Sequence, residues 1–358
     1  MGMDLSSSRR DAIDRRWRAV VLIAVFLSTA FIWALTRLWT VTGTNPSGKP
    51  AADFTRIWQP LADRVLAGAP LYSSGVADNK PPLFLAVDIV TGFAPSHAGA
   101  FILLTGLING LVAVVLWRLG RQYDREFAGV LAGVLYLAFV PLFDGQFIQA
   151  GSYTVLFVLL AVHANRAMLS GVWIAVAGLF YQYAVLLVPV VFGLRLTQDR
   201  HTPVRRGLYY CFGGLVTVGL VFLGVALLWS PRSALLGLHW SFGLPTGVTS
   251  APVQSFTTEP ATYASGLWLF TNPSKWAEEM SHALGFLIPL LIPVGVALRT
   301  VQWRIADGSL ISHAVVLTVA STIPLVIRTY LDYVVLLLPF VCLLAAIGLI
   351  KLFEAADA

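Results

Sequence analysis

The feature that most constrains this chain is a recurrence of apolar runs long enough to cross a bilayer, separated by short cationic segments. A hydrocarbon core of ~30 Å takes about 20 residues of helix. Inside it every backbone N–H and C=O must be satisfied by the spanning element itself, which leaves helices or closed barrels. The runs here are continuous rather than alternating, so helices are expected. They fall at approximately 20–38, 101–119, 127–143, 152–168, 207–229, 283–300, 310–327 and 331–350. Apolar residues make up 57% of the 358 and charged residues only 12%, about half the usual globular share. That composition excludes a disordered chain, a secreted disulfide scaffold and an ordinary cytosolic enzyme.

The stretch 171–196 decides the topology. As one helix it would strand Arg195, Arg200, Arg205 and Arg206 on the wrong side of the membrane. Split near Tyr181-Gln182-Tyr183 into two short crossings, it returns them to the cytoplasm, and the split reading is the one adopted. The N-terminal arginines Arg9, Arg10, Arg15, Arg16 and Arg18 hold that end inside, and the first helix is read as retained, not as a signal peptide. Cations on the cytoplasmic side then outnumber those outside by two to one. The expectation is an all-α polytopic bundle of about ten crossings, both termini inside, forming one transmembrane domain over 1–358 in the cell membrane.

The net charge of +6 does not point to nucleic acid, because most of the cations sit in short loops where they set orientation. Cys211 and Cys342 read as free thiols within apolar runs. Two outer segments, about 39–100 and 230–282, are longer than connectors need to be, and loops of that size usually carry function.

The first of these concentrates charge. Asp53, Arg56, Asp63, Arg64, Asp78, Lys80 and Asp88 alternate with Phe54, Trp58, Tyr72 and Phe84. Charges kept beside a membrane are costly and are functional candidates by default. Ala52-Asp53-Phe54-Thr55-Arg56-Ile57-Trp58 opens an amphipathic stretch that runs to Gly68-Ala69-Pro70-Leu71-Tyr72. In Asp78-Asn79-Lys80-Pro81-Pro82-Leu83-Phe84 the prolines let a helix begin just after Lys80. A cation fixed there can hold a lipid phosphate, and a nearby carboxylate can accept a proton from a sugar hydroxyl. Blander readings stand beside these. Asp53 can cap a helix or pair with Arg56, and Lys80 can snorkel. Arg328, in the outer turn with Tyr330 and Asp332, can pair with Asp332. Asp144 and Gln146 can cap the helix that follows them.

The order Asp53-Phe54, Gly68-Ala69-Pro70-Leu71-Tyr72, Lys80-Pro81-Pro82-Leu83-Phe84 and Asp144-Gly145-Gln146 resembles the GT-C superfamily of membrane glycosyltransferases. Closest are the polyprenyl-phosphate-mannose-dependent mannosyltransferases, with kinship to the protein O-mannosyltransferase and aminoarabinose transferase group. The resemblance covers the first 200 residues by motif and the last 150 by hydropathy. It implies Asp53 as the base that activates the acceptor hydroxyl and Lys80 as the cation near the lipid phosphate. Arg56, Tyr72, Asp144, Gln146 and Arg328 complete the implied substrate-binding set. There are departures. Phe54 stands where many relatives carry a second acid. Tyr181-Gln182-Tyr183 replaces a hairpin lysine, and the Trp-Trp-Asp element of en bloc glycan transfer is missing.

The implied reaction is inverting transfer of a sugar, mannose by the resemblance, from a polyprenyl or dolichyl monophosphate donor to a glycan or glycolipid acceptor outside. The rival class is a transporter or flippase for a lipid-linked sugar. Paired halves with broken helices would mark a transporter, and no internal repeat is readable. No cofactor is established; magnesium or manganese bridging Asp53 to phosphate would suit oxygen ligands. His239 and Glu259 are candidates for acceptor contact or metal binding. His97 and His282 read as interfacial, and His163, His201 and His313 as structural.

Overall fold

The computed structural model describes residues 5–42, 54–73, 78–143, 149–197, 202–244, 270, 272–299, 309–327 and 331–357. Among these the regular structure is all helical, with no strand. Helix α1 spans Leu5–Thr42, and a π-helical turn, Phe54–Trp58, leads into α2, Gln59–Leu66. Then come α3 (Pro82–Thr91), α4 (His97–Gln122), α5 (Glu126–Phe139), α6 (Ala150–His163) and α7 (Ala167–Phe180). After a 3₁₀ turn at Gln182–Leu187 follow α8 (Val188–Thr197), α9 (Pro203–Leu228) and α10 (Pro231–Phe242). The remainder is α11 (Pro273–Arg299), α12 (Leu310–Ser321), α13 (Ile323–Ile327), a 3₁₀ turn at Leu331–Leu336, and α14 (Leu338–Ala356).

Among the described residues six segments are long and apolar enough to cross a membrane: Trp17–Arg37, His97–Gln122, Glu126–Phe143, Pro203–Leu228, Pro273–Arg299 and Leu338–Ala356. The other expected crossings correspond to shorter apolar helices, Ala150–His163, Ala167–Phe180, Gln182–Leu196 and Leu310–Val326. Helices α4 and α14 are largely enclosed by their neighbours, whereas α1 and α9 expose most of their apolar side chains. In a bilayer those faces meet lipid, and the architecture is that of a multi-pass membrane protein.

The expected break at Tyr181 is present, and it reverses the chain. Tyr181 itself is extended, with φ −150° and ψ 117°. At the far end of the hairpin Arg195, late in α8, donates to Ser170 Oγ, early in α7, at 3.1 Å. The same guanidinium donates to the carbonyls of Ala161 and Val162, near the C-terminus of α6. A cation there complements carbonyls that a helix end leaves without partners. The arginine that split the apolar run on charge grounds is thus the one that ties the hairpin's base.

Helices approach closely where small residues face one another, as membrane bundles require in place of a hydrophobic driving force. A Cβ added at Gly171 of α7 would lie 1.9 Å from the carbonyl oxygen of Tyr210 in α9. One added at Gly213 of α9 would lie 2.2 Å from that of Met168. These are backbone contacts that no rotamer change relieves. Gly171→Val should therefore lower the thermal stability of the detergent-purified protein by about 1–3 kcal/mol, the usual cost of overpacking. Gly219→Ala, where the added carbon meets nothing within 4 Å, should hold or slightly raise it.

The segment 230–282, expected outside, is helical at both of its described ends. Ser230 caps α10 by accepting from Ser233 N, Pro231 sits in its first turn, and Gly243 ends it at φ 65°. Helix α11 likewise begins at Pro273, ten residues ahead of the apolar run at 283 that marked its expected start.

Candidate functional site

The site is built from the charged segment that precedes α4. Helix α3 begins where the prolines indicate, with Pro81 as its N-cap and Pro82 in the first turn. The loop before it is held from three directions. Asp78 is buried and accepts from Trp58 Nε1 at 3.0 Å and from its neighbour Asn79 N at 2.8 Å. The indole ties the loop to the π-helical turn, and hydrogen bonds to a charged acceptor are among the stronger ones.

The backbone carbonyl of Lys80 takes two further bonds. Tyr72 Oη donates to it at 2.9 Å and Ser241 Oγ at 3.2 Å, and the two hydroxyls lie 3.2 Å apart. Tyr72 is fully buried and adopts φ 60°, a left-handed conformation rare for an aromatic residue. Its ring lies against Gly237 of α10, where a Cβ would come within 2.8 Å of it. Burial pushes the phenol's pKa up, so it stays a neutral donor. Tyr72, expected among the substrate-binding residues, lies beneath Lys80, with its hydroxyl engaged by the loop.

With its backbone fixed, Lys80 places its ammonium 4.9 Å from the ring centroid of Tyr181, at the tip of the α7–α8 hairpin. Tyr181 meets Tyr183 edge-on at 5.2 Å and Tyr333 at 5.6 Å, and the latter two rings are 5.3 Å apart. The hairpin, the turn before α14 and the Lys80 loop therefore meet around one ring, that of Tyr181. A cation over an aromatic face is held partly by the ring quadrupole.

An aromatic ladder carries this arrangement into the bundle. Trp58 meets Phe84 at 5.0 Å, Phe84 meets Phe101 at 5.6 Å, Phe101 meets Tyr153 at 6.1 Å, and Tyr153 stacks on Phe180 at 5.2 Å. It joins the π-helical turn to α3, α4, α6 and α7. Edge-to-face and offset pairs of this kind add about 0.5–1.5 kcal/mol each beyond burial.

Asp53, Asp144, Gln146 and Arg328 lie outside the described residues, as do Glu259 and the side chains of Arg56 and Asp332. Asp53 directly precedes the π-helical turn. The expectation of a divalent cation rests on Asp53 and lies outside with it. His97, expected at the interface, is instead turned inward: its Nε2 lies 3.0 Å from Asp88 Oδ1, with the two side chains 8% and 0% exposed. His239 contacts Leu244 O at 3.0 Å at the end of α10, and His313 contacts the Tyr123 hydroxyl at 2.8 Å. Two contributors carried no signal in the sequence. Ser241 reaches Lys80 across 161 positions, and Tyr333 arrives from the penultimate turn.

The all-helical membrane fold has a counterpart among solved structures. The fold is similar to that in the crystal structure of ArnT from Cupriavidus metallidurans in the apo state. The TM-score is 0.57 at 18% identity, over 96% of this chain and 62% of that one. The chain thus spans less than two thirds of that protein. No protein-family model matches the sequence. No curated protein matches it significantly.

Proposed function

We propose that the protein is a membrane glycosyltransferase that takes its sugar from a lipid-linked monophosphate donor. The observation that carries this reading is Lys80, a cation fixed by its own backbone at the start of α3 and set on a tyrosine cluster, within a fold shared with ArnT. A half-buried ammonium next to the positive end of a helix is suited to a phosphate that leaves as the glycosidic bond forms. The donor lipid is a polyprenyl or dolichyl monophosphate, and its sugar, on the motif resemblance, is mannose. A lipid carrier suits a compartment without nucleotide sugars, so the site faces the extracytoplasmic side.

In the reaction Asp53 takes the proton of the acceptor hydroxyl, whose oxygen attacks the anomeric carbon. The bond to the phosphate oxygen breaks on the opposite face, configuration inverts, and the electron pair leaves on the lipid phosphate. Lys80 stabilises that charge, with Arg328 as second cation. Arg56, Asp144 and Gln146 contact sugar and phosphate, and the acceptor is a glycan or glycolipid under the second outer segment.

Purified protein in liposomes, given labelled polyprenyl-phosphate mannose and a glycan acceptor, should form a glycosidic product. Substituting other polyprenyl-phosphate sugars, aminoarabinose included, tests the donor. Donor movement across the bilayer without product would identify a transporter and end the enzyme reading.

A further inference from the structure

The first outer segment holds a charge pair that the proposed reaction does not use. Asp88, in the last turn of α3, and His97, the first residue of α4, face each other across the turn 92–96 at 3.0 Å. Both are enclosed. The distance suits an ion pair, yet among the described residues neither carboxylate oxygen nor either ring nitrogen has a well-aligned hydrogen-bond partner. A half-satisfied buried pair is a poor device for stability, and apolar side chains of the same size often serve a fold as well or better. A protonated imidazole would also oppose the positive end of α4, where it sits.

What the pair touches gives it a purpose. The His97 ring receives the Phe54 ring edge-on at 4.8 Å, and Phe54 immediately follows Asp53. Phe54 opens the π-helical turn, and Trp58 closes it with its bond to Asp78. Irregular turns of this type recur at functional sites because they place backbone where regular helix does not. The turn is therefore held at one end through Asp78 and at the other through Asp88 and His97.

We propose that His97, oriented by Asp88, is a positioning residue that sets where the Phe54 end of the turn, and with it Asp53, stands for reaction. This rests on the glycosyltransferase reading given above. The groups that act on Asp88 are His97 of α4, Asp78 of the loop before α3, and Asp63 of α2. Burial raises its carboxyl to about 6, the imidazole opposes that rise, and the two acids add to it. Below that pH the carboxyl gains a proton and loses the charge that holds the ring.

Two variants and two measurements test this. In Asp88→Asn and His97→Gln, kcat should fall by about 10–100-fold, the cost of a small misplacement of a catalytic group, while the donor KM stays within about twofold. The wild-type kcat should fall with acid near pH 6, and in Asp88→Asn that limb should move down to the ordinary carboxylate range. Separately, hydrogen–deuterium exchange over 54–66 should be faster in Asp88→Asn than in wild type, with the bundle helices unchanged. This second readout needs no turnover, so it distinguishes failure of the positioning role from failure of the glycosyltransferase reading. Wild-type exchange over 54–66 in both variants would overturn the proposal. So would a kcat and pH profile unchanged from wild type.

Discussion

Asp53→Asn should lower turnover by about 100-fold or more while donor affinity changes little. The carboxamide keeps the shape and most of the hydrogen-bonding reach of the acid but cannot take the acceptor's proton, and general-base contributions are of this size. In the proposed reaction the phosphate is held by cations elsewhere, so binding of the donor should not depend on the acid. Asp53→Glu should also be poor, because one methylene displaces the carboxylate from its oxygen target. Single-turnover rates with saturating donor, on protein that inserts and purifies like the wild type, give the comparison. Asp63 is the right neighbour control: it lies in α2 and is exposed, so Asp63→Asn should be near normal. Asp78 is not a clean control, since its carboxylate holds Trp58 and the loop that presents Lys80. If Asp53→Asn turns over normally and Asp63→Asn does not, the base lies one helix further on. If both are active, this segment does not carry the base.

How much of this was legible depends on the range of the physics involved. Membrane helices announce themselves locally, because each span must be apolar on its own account, and most described spans lie within a few residues of the expected ones, α11 and α14 starting furthest from theirs. The start of α3 was also local, since Pro81 and Pro82 restrict the backbone where they stand. The break at Tyr181 was read from charge, and the structure supplies its physical reason: Arg195 satisfies carbonyls at the end of α6 and can do so only if the chain turns back. The helical ends of the second outer segment were hidden by the Gly, Pro and Thr between them, although Ser230-Pro231 is an ordinary helix start. No local rule reaches Ser241 or Tyr333, whose contacts exist only once distant helices have packed. His97 misled for a related reason. A lone histidine beside an apolar run reads as interfacial until the turn at 92–96 brings Asp88 opposite it.

The contrast between backbone and side chain at Lys80 gives the sharpest test of the leaving-group site. Tyr72 and Ser241 grip the carbonyl of this residue, not its side chain, so Lys80→Ala keeps the bonds that hold the loop. The variant should fold, and its defect should be confined to the lost ammonium. Removing one partner of a poorly hydrated charge typically costs about 2–5 kcal/mol, so kcat/KM for the lipid-phosphate donor should fall by about 30-fold to a few thousandfold. Lys80→Arg keeps the charge but presents a planar fork in place of a compact ammonium, and it should recover only part of that loss. Tyr181→Phe retains a ring face under the cation and should be mild. Tyr181→Leu removes the face and should cost about 0.5–2 kcal/mol, the range of a cation–π contact. Raising the salt concentration should not mimic any of these, because a half-buried cation is screened far less than an exposed one. Wild-type kcat/KM in Lys80→Ala would show that the ammonium only anchors α3 at the membrane surface, and the leaving-group role would pass to Arg328.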